Sequence, residues 1–158
     1  MCPVMDLSEL TLDMMWNARR QLIVFYHHDT SCRPNSNLWP PHSIAAPWHN
    51  TRACADLVSA VERGLSGRPT ASNTFHVTQA VLTPDAAFIM SHFGKKLRGS
   101  LTGEALAPFF NWLRRQNCEP SAGINIVTVD FVETTQLVEI LMNRNQSVAS
   151  MVCNLHSL

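Results

Sequence analysis

The stretch GINIVTVDFVE, residues 123–133, combines a turn residue, a β-branched run and an acid. Gly123 is typical of a turn, and the apolar and β-branched residues that follow it predict a short, buried strand over 124–130. Asp130 is the last residue of that strand. The acid therefore lies at the end of the strand, just before the next element, and the question is which function a carboxylate has at that position.

Two more segments have the composition of buried strands, QLIVFYH at 21–27 and FHVTQAVLT at 75–83. Four further segments have apolar residues at helical spacing. They are RACADLVSAVERGL capped by Thr51, DAAFIMSHFGKKL opened by Pro84, EALAPFFNWLRRQ, and a segment that begins at Glu133. Strands that alternate with helices indicate βαβ crossovers. The fold class is therefore predicted to be α/β, with three main parallel strands and flanking helices.

Three regional expectations accompany this assignment. The second helix is predicted to bury an apolar side formed by Ala87, Phe88, Met90 and Phe93. The segment 28–51 is predicted to be largely irregular because it contains four prolines, although its two tryptophans favour a packed loop over a disordered one. Residues 1–145 are predicted to form the folded unit. The weakly patterned tail at 146–158 is expected to be either a frayed helix or disordered.

The composition excludes several classes of protein. Twelve basic residues balance twelve acidic ones, and no basic cluster alternates with aromatic residues, so nucleic acid is not an expected partner. Five widely spaced cysteines without a Cys-x-x-Cys pair indicate reduced thiols rather than a disulfide framework or a zinc site. The acidic N-terminal segment does not resemble a signal peptide. A cytoplasmic location is therefore expected.

Few residues form patterns that indicate chemistry by themselves. His27, His28 and Asp29 follow a strand directly, but neighbouring strand residues point to opposite faces, which favours a polar strand end over a metal site. No serine lies in a Gly-x-Ser-x-Gly sequence, and no glycine pattern that binds phosphate is present. Neither a metal nor another cofactor is expected.

Six motifs, in this order and at these separations, point to a known family. They are MCP, QLIVFYH, LWPPHSIAAPWHNT, FHVTQAVLTP, LRRQ and GINIVTVDFVE. From Cys2 to about Asn145 the chain resembles the C-terminal half of the phosphatidylinositol-specific phospholipase C X domain-containing proteins. The loop with LWP and APW and the final strand are the most specific pieces.

The resemblance implies a fold and an activity. The family forms a distorted (β/α)8 barrel, so this chain would be the C-terminal half of a (β/α)8 TIM-type barrel. Its members resemble bacterial phosphatidylinositol phospholipases, which cleave a phosphodiester with two histidines as general base and general acid. In animal members the activity is usually inferred from that likeness. The enzyme class implied is a phosphoric diester hydrolase of phospholipid metabolism and signalling.

The resemblance also implies a role for Asp130. In a βα barrel, functional groups project from the C-terminal ends of the strands, and there Asp130 would orient the base histidine and support its charge. An alternative is that this acid caps the helix that follows, whose positive N-terminus attracts a carboxylate. Tyr26, His27 and Gln79 are expected near the same end of the barrel, where they could contact an inositol headgroup.

Both catalytic histidines of the family are missing from this chain. They belong to a Ser-His-Asp motif and a later His-Gly motif in the N-terminal half, and neither motif occurs here. The chain opens inside the family's alignment, as a truncated gene model, an alternative product or a fragment would. Without its acid and base, a general acid-base reaction loses about 10²- to 10⁴-fold for each group. The chain alone is therefore expected to be inactive.

Two hypotheses of different class follow. In the first, the chain is a fragment of a phosphodiester hydrolase, whose full-length family binds a phosphoinositide or related phospholipid headgroup and contacts the membrane surface. In the second, it is a non-catalytic βα module that associates with a partner or a full-length relative. Under both hypotheses, self-association through exposed barrel edges is expected, because half a barrel cannot close.

Overall fold

A computed structural model describes residues 1–2, 4–28, 37–68, 73–116 and 123–155 of the chain. Its helices and strands alternate along most of the sequence. They are α1 (Leu12–Asn17), β1 (Val24–Phe25), β2 (Leu38–Trp39), β3 (Ile44–Ala45), α2 (Cys54–Ser66), β4 (Phe75–Ala80), α3 (Ala86–Ser91), α4 (Leu97–Leu101), α5 (Ala107–Leu113), β5 (Ile126–Val129) and α6 (Leu137–Leu155).

A three-stranded parallel sheet in the order β3-β4-β5 is the main framework. Val77 pairs with Ile126 and Ala80 with Val129, and the shorter β3 pairs with the start of β4. The connection from β3 to β4 contains α2, and the connection from β4 to β5 contains α3, α4 and α5. This topology confirms the α/β class and the parallel pairing of the strands. Closure into a barrel is not part of the structure described.

The first predicted strand is shorter than expected and belongs to a second sheet. Of residues 21–27, Val24–Phe25 form β1, which pairs in parallel with β2. The Phe25 ring makes edge contacts with Trp39 at 5.9 Å and with Phe75 at 5.3 Å between centroids. Aromatic packing thus joins the two-stranded pair to the start of β4.

Segment 28–51, predicted to be largely irregular, contains short regular elements in its second half, and its residues 29–36 lie outside the described residues. Two short strands, β2 and β3, form there because the prolines flank them and do not interrupt them. Pro41 begins a 3₁₀ turn, Pro41–Ser43, between the two strands. Trp39 is buried, and its indole nitrogen donates a hydrogen bond to the carbonyl oxygen of Cys2 at 3.2 Å. The expectation that the tryptophans favour packing therefore holds for Trp39, whereas the Trp48 side chain is exposed.

Three helix starts differ from the prediction. Ala53, not Thr51, is the N-cap of α2, and the Thr51 hydroxyl accepts a hydrogen bond from Ala53 N at 3.3 Å. Asp85 caps α3 by accepting a hydrogen bond from Phe88 N at 2.7 Å. Glu133 lies within a 3₁₀ turn, Val132–Thr134, and α6 begins only at Leu137. The backbone of α6 is helical to Leu155, so in the described tail the helical alternative holds.

The second predicted helix is two short helices, and its apolar side is not buried. The chain turns at Gly94, whose φ of +82° suits glycine, and α4 begins at Leu97. Phe88 packs against the core, but Ala87, Met90 and Phe93 are exposed. A helix that ends at Ser91 cannot place Phe93 on the same face as Phe88.

One layer of helices covers one face of the three-stranded sheet. Residues from α2, α5 and α6 pack with Ala80 of β4, and Val127 and Val129 of β5 lie against them. The buried hydrophobic cluster consists of Leu57, Val61, Ala80, Leu82, Leu101, Leu106, Phe109, Phe110, Trp112, Leu113, Ile124, Leu137 and Ile140. By strand alternation, Gln79 and its neighbour Thr128 point to the opposite face.

His76 is a buried histidine on β4, beside the C-terminal end of α2. Burial lowers its pKa, and the nearby Arg68 and His49 lower it further. Because the folded protein resists protonation of this imidazole more than the unfolded chain does, the unfolded state binds more protons as the pH falls through 6.5. The free energy of unfolding should therefore be largest above pH 6.5 and decrease below it.

We expect His76→Gln to reduce this pH dependence. Urea unfolding at about pH 7.5 and about pH 5.5 measures the difference in free energy for each variant. His42→Gln, at an exposed position, is the control and should keep the wild-type difference. An unchanged pH dependence in His76→Gln would show that other groups determine it.

Candidate functional site

Asp130 stands at the C-terminal end of β5, where the chain leaves the sheet abruptly. Phe131, the next residue, has a φ of +53° and a ψ of 53° in the left-handed region, which a bulky residue rarely adopts. Such strained positions are concentrated at functional sites. The Asp130 side chain is exposed at this turn.

The carboxylate borders a small, mostly apolar cavity at this end of the sheet. The cavity has a volume of about 310 Å³. It is lined by Leu82, Pro84, Leu101, Thr102, Asp130 and Phe131. Leu82 and Pro84 follow β4, so the connections after two adjacent parallel strands converge around the acid, as they do at the ligand-binding end of α/β sheets.

The helix-capping alternative for Asp130 finds no support among the hydrogen bonds of the described residues. Phe131 occupies the N-cap of the 3₁₀ turn that follows, and no side chain caps that turn. At the start of α6, the Thr135 hydroxyl accepts a hydrogen bond from Leu137 N at 3.3 Å. Within the described structure, the Asp130 carboxylate has no hydrogen-bond partner, which leaves it available to a group outside those residues.

Gln79 lies one strand away from Asp130, but its amide has a structural task. Its Nε2 donates to the carbonyl oxygens of Ala46 at 2.8 Å and Pro47 at 3.1 Å. These bonds hold the chain that leaves β3 against the sheet. Gln79 therefore holds the segment after β3, and neither Gln79 nor these two partners line the cavity beside Asp130.

Tyr26 and His27 follow β1, which belongs to the other sheet. Both side chains are exposed, and the Tyr26 ring lies 6.4 Å from the ring of His28 in a tilted arrangement. The structure thus places Gln79 and Asp130 on adjacent strands and leaves Tyr26 and His27 at the end of a separate pair. A role for these two residues in headgroup binding stays a prediction.

Among the described residues, no three His, Cys, Asp or Glu side chains gather closely enough to hold a metal ion. Asp29, part of the His27-His28-Asp29 sequence, lies outside those residues. No helix in the described part of the chain is long and apolar enough to cross a membrane.

The sequence interpretation missed a basic and aromatic border beside Asp130. Arg98 of α4 lies over the Phe131 ring at 5.5 Å from its centroid, and it forms a salt bridge with Glu133 at 3.0 Å. The signal was the run FGKKLR at 93–98, of which the helical pattern had assigned 93–97 to the end of the second helix. These contacts tie the connection after β4 to the turn after β5.

Comparisons with known proteins identify relatives over most of the chain. PI-PLC X domain-containing protein 3 of Danio rerio is 34% identical over 145 residues, which is 92% of this chain and 44% of that protein. The human protein 3 is 33% identical over the same share. PI-PLC X domain-containing protein 2 of Mus musculus is 32% identical over 92% of this chain and 42% of that protein.

Two other comparisons found no match. No family model matches the chain, and neither does any solved structure. The chain spans less than half the length of the curated relatives it matches. These similarities confirm the resemblance that the motifs indicated, and over most of its length this chain is homologous to part of the PI-PLC X domain-containing proteins 2 and 3.

Proposed function

We propose that this chain is the part of a phosphoric diester hydrolase that carries the supporting carboxylate, Asp130. Its kinship to the PI-PLC X domain-containing proteins supports the reaction class. The single observation that carries the assignment is the position of Asp130: exposed at the C-terminal end of a parallel strand, beside a cavity, and without a partner among the described residues. Within this proposal the chain forms the C-terminal half of a TIM-type barrel in the cytoplasm.

The catalytic work divides between the two halves of such a barrel. A base histidine of the other half takes a proton from the attacking hydroxyl, and an acid histidine gives one to the departing oxygen. Asp130 accepts a hydrogen bond from the base imidazole, which orients the ring and stabilises the imidazolium that forms. Asp130 is thus a positioning residue in the proposed reaction.

Substrate recognition forms the second part of the proposal. A phosphoinositide or related phospholipid headgroup would lie at the C-terminal end of the strands, next to Asp130. In this proposal the Gln79 amide oxygen, on the strand adjacent to β5, accepts a hydrogen bond from a ring hydroxyl. Tyr26 and His27 would close the site from the β1 side if the two sheets continue into one barrel.

A second candidate function is a non-catalytic module that associates with a partner or a relative. The strand order favours it, because β5 is a border of the three-stranded sheet and β1 is a border of the two-stranded pair within the described structure. Thr128 of β5 is exposed on the face away from the helices. Open strand edges are surfaces that tend to pair with another chain. Both candidate functions predict that the chain self-associates, which sedimentation velocity would measure.

An activity assay tests the proposed reaction. We expect the purified chain to release no measurable inositol phosphate from phosphatidylinositol vesicles, because it lacks both catalytic histidines. Fusion of the chain to the N-terminal half-domain of a relative that bears both histidines should restore release. A bacterial phosphatidylinositol phospholipase serves as the positive control of the assay.

Two results would contradict the proposal. One is turnover by the chain alone that Asp130→Asn abolishes, since the missing histidines would then be unnecessary. The other is a folded, inactive fusion when the relative that donated the half-domain is active under the same conditions. In that case the second candidate function would be favoured.

A further inference from the structure

Another cavity lies at the end of the sheet that is opposite to Asp130. It has a volume of about 570 Å³, which is within the usual range of small-molecule sites. Its lining comes from the segment after β3, from Gly64 and Arg68 at the end of α2, and from His76 at the start of β4. Because His76 precedes the last residue of β4, Ala80, by four positions, the two ends of the strand are about 13 Å apart.

His76 brings an imidazole without a partner to this cavity. The residue is 6% exposed, and it shares a strand face with Ala80, which packs against the helices. Its backbone N–H donates a hydrogen bond to Asn125 Oδ1 at 2.9 Å, but its ring nitrogens have no hydrogen-bond partner among the described residues. Buried polar groups nearly always have a partner. A molecule in the cavity that His76 lines would supply one.

Arg68 brings a permanent positive charge to the same cavity. Its guanidinium donates hydrogen bonds to the carbonyl oxygens of Gly123 and, at 3.2 Å, of Thr74. Both acceptors are neutral, so these bonds hold the guanidinium in place without balancing its charge. No described carboxylate forms an ion pair with it, and burial lowers the pKa of Arg68. A partly buried cation in this situation is stabilised by an anion.

The other ionisable groups around His76 are basic as well. Burial lowers the pKa of His76, and the charges of Arg68 and His49 lower it further. Burial also lowers the pKa of His49, and Arg63 lowers it further. These four side chains come from α2, the segment after α2, the segment after β3 and β4, so positive charge reaches the cavity from several directions.

The lack of a described acid in its lining distinguishes this cavity from others that contain an arginine. Arg114 and Arg98 line two such cavities, and Glu104 lines both. A carboxylate in the lining repels an anionic ligand, whereas no described carboxylate lines the cavity of Arg68 and His76. The charge around this cavity therefore favours an anion.

We propose that this cavity binds the phosphate group of a small organic phosphate, with Arg68 and His76 as its hydrogen-bond donors. Donors on two different walls suit a tetrahedral oxyanion, whose oxygens point in several directions, better than a planar carboxylate. Much of the remaining lining is alanine, proline and glycine, which leaves room for a short carbon skeleton. The site lies away from Asp130, so it goes beyond the proposed reaction and does not depend on it.

Calorimetric titration of the full chain with orthophosphate and with glycerol phosphate tests the inference. We expect His76→Gln to weaken the binding of both at least about fivefold, since a hydrogen bond to a charged group is lost. His42→Gln, at an exposed position, is the control and should bind like the wild type. Glycerol phosphate should bind more tightly than orthophosphate. Equal affinities would assign the site to free phosphate and contradict the organic part of the proposal.

The pH dependence of sulfate binding gives a result that a purely structural role of His76 would not affect. Sulfate keeps its charge between about pH 7.5 and about pH 5.5, whereas protonation of His76 adds a positive charge to the cavity. The affinity for sulfate should therefore increase as the pH falls, because the bound anion favours the protonated imidazole. His76→Gln should remove most of this increase, and any part that remains would belong to His49.

Gly64→Leu tests the cavity without a change to either donor. A Cβ at Gly64 meets no atom within 4 Å, and leucine favours a helix more than glycine does, so α2 should fold while the side chain fills the cavity. Phosphate binding should fall at least about tenfold, through steric exclusion. Gly99→Leu on α4, where the surroundings are equally open, is the matched control and should keep the wild-type affinity.

Several results would overturn the inference. They are an absence of phosphate binding at millimolar concentrations, equal losses in the Gly64 and Gly99 variants, and acetate binding as tight as that of phosphate. Circular dichroism should show that each variant is folded, and the His76 and His42 variants decide the matter if Gly64→Leu is not. Phosphate binding by a fusion protein that has no turnover would contradict the proposed reaction and leave this site supported.

Discussion

Replacing Asp130 with asparagine, in a protein that joins this chain to the half-domain with both histidines, is expected to lower turnover at least about 10²-fold. Asparagine keeps the shape of the side chain but removes the charge that stabilises an imidazolium, and it can favour the wrong imidazole tautomer. In the serine-protease triad the equivalent change costs about 10⁴-fold, which is an upper guide here. The expected loss corresponds to most of one general-base contribution.

The stability of this variant separates a catalytic from a structural role. The Asp130 side chain is exposed and caps neither following helix through a hydrogen bond, so the unfolding temperature should change little. Asp13→Asn, another exposed acid on α1, is the matched control and should leave turnover unchanged. If the joined protein were active and Asp130→Asn kept the full rate, Asp130 would be an ordinary surface acid.

The sequence predicts those parts of the fold that depend on local patterns. Continuous β-branched runs located β4 and β5, and the apolar spacing of Leu57 and Val61 located α2, whose buried face they form. The position of Asp130 followed from the same reasoning, because the end of a strand can be recognised without knowing its neighbours.

Other parts depend on contacts that the sequence does not display. The strands β2 and β3 form because β1 and β4 lie beside them and pair with them. Each has only two residues, which is too short for a pattern of alternating side chains to be recognised in the sequence. Because prolines flank both strands, the sequence pattern predicted a loop there. The hydrogen bonds of the Gln79 amide could not be predicted from the sequence either, because their acceptors are backbone carbonyls 32 and 33 positions away.

The exposed side chains of Met90 and Phe93 show why periodicity alone misassigned α3. Phe88 and Met90 are two positions apart and therefore point to different sides of a helix. Met90 and Phe93 can share a side, but only if the helix continues past Ser91. Gly94 instead adopts a positive φ, which ends the regular structure and leaves Phe93 in solvent. A phenylalanine beside a glycine and two lysines indicates a surface as readily as a core.

Phe109→Ala is expected to destabilise the chain by about 3–5 kcal/mol. Phe109 is fully buried on α5, at 5.8 Å from Phe110 and 5.5 Å from Trp112 between ring centroids. Removal of its ring leaves a cavity where α5 packs against α2, and that packing holds the helix layer to the sheet. Urea unfolding, followed by circular dichroism, measures the loss.

Phe93→Ala is the matched control, because the same change is made at an exposed ring. It should alter the free energy of unfolding by less than about 0.5 kcal/mol. Phe109→Leu, which refills part of the cavity, should retain a cooperative transition with a loss of about 1–2 kcal/mol even if the alanine variant unfolds. Equal effects of the Phe93 and Phe109 substitutions would contradict the placement of one ring inside the helix layer and the other at the surface.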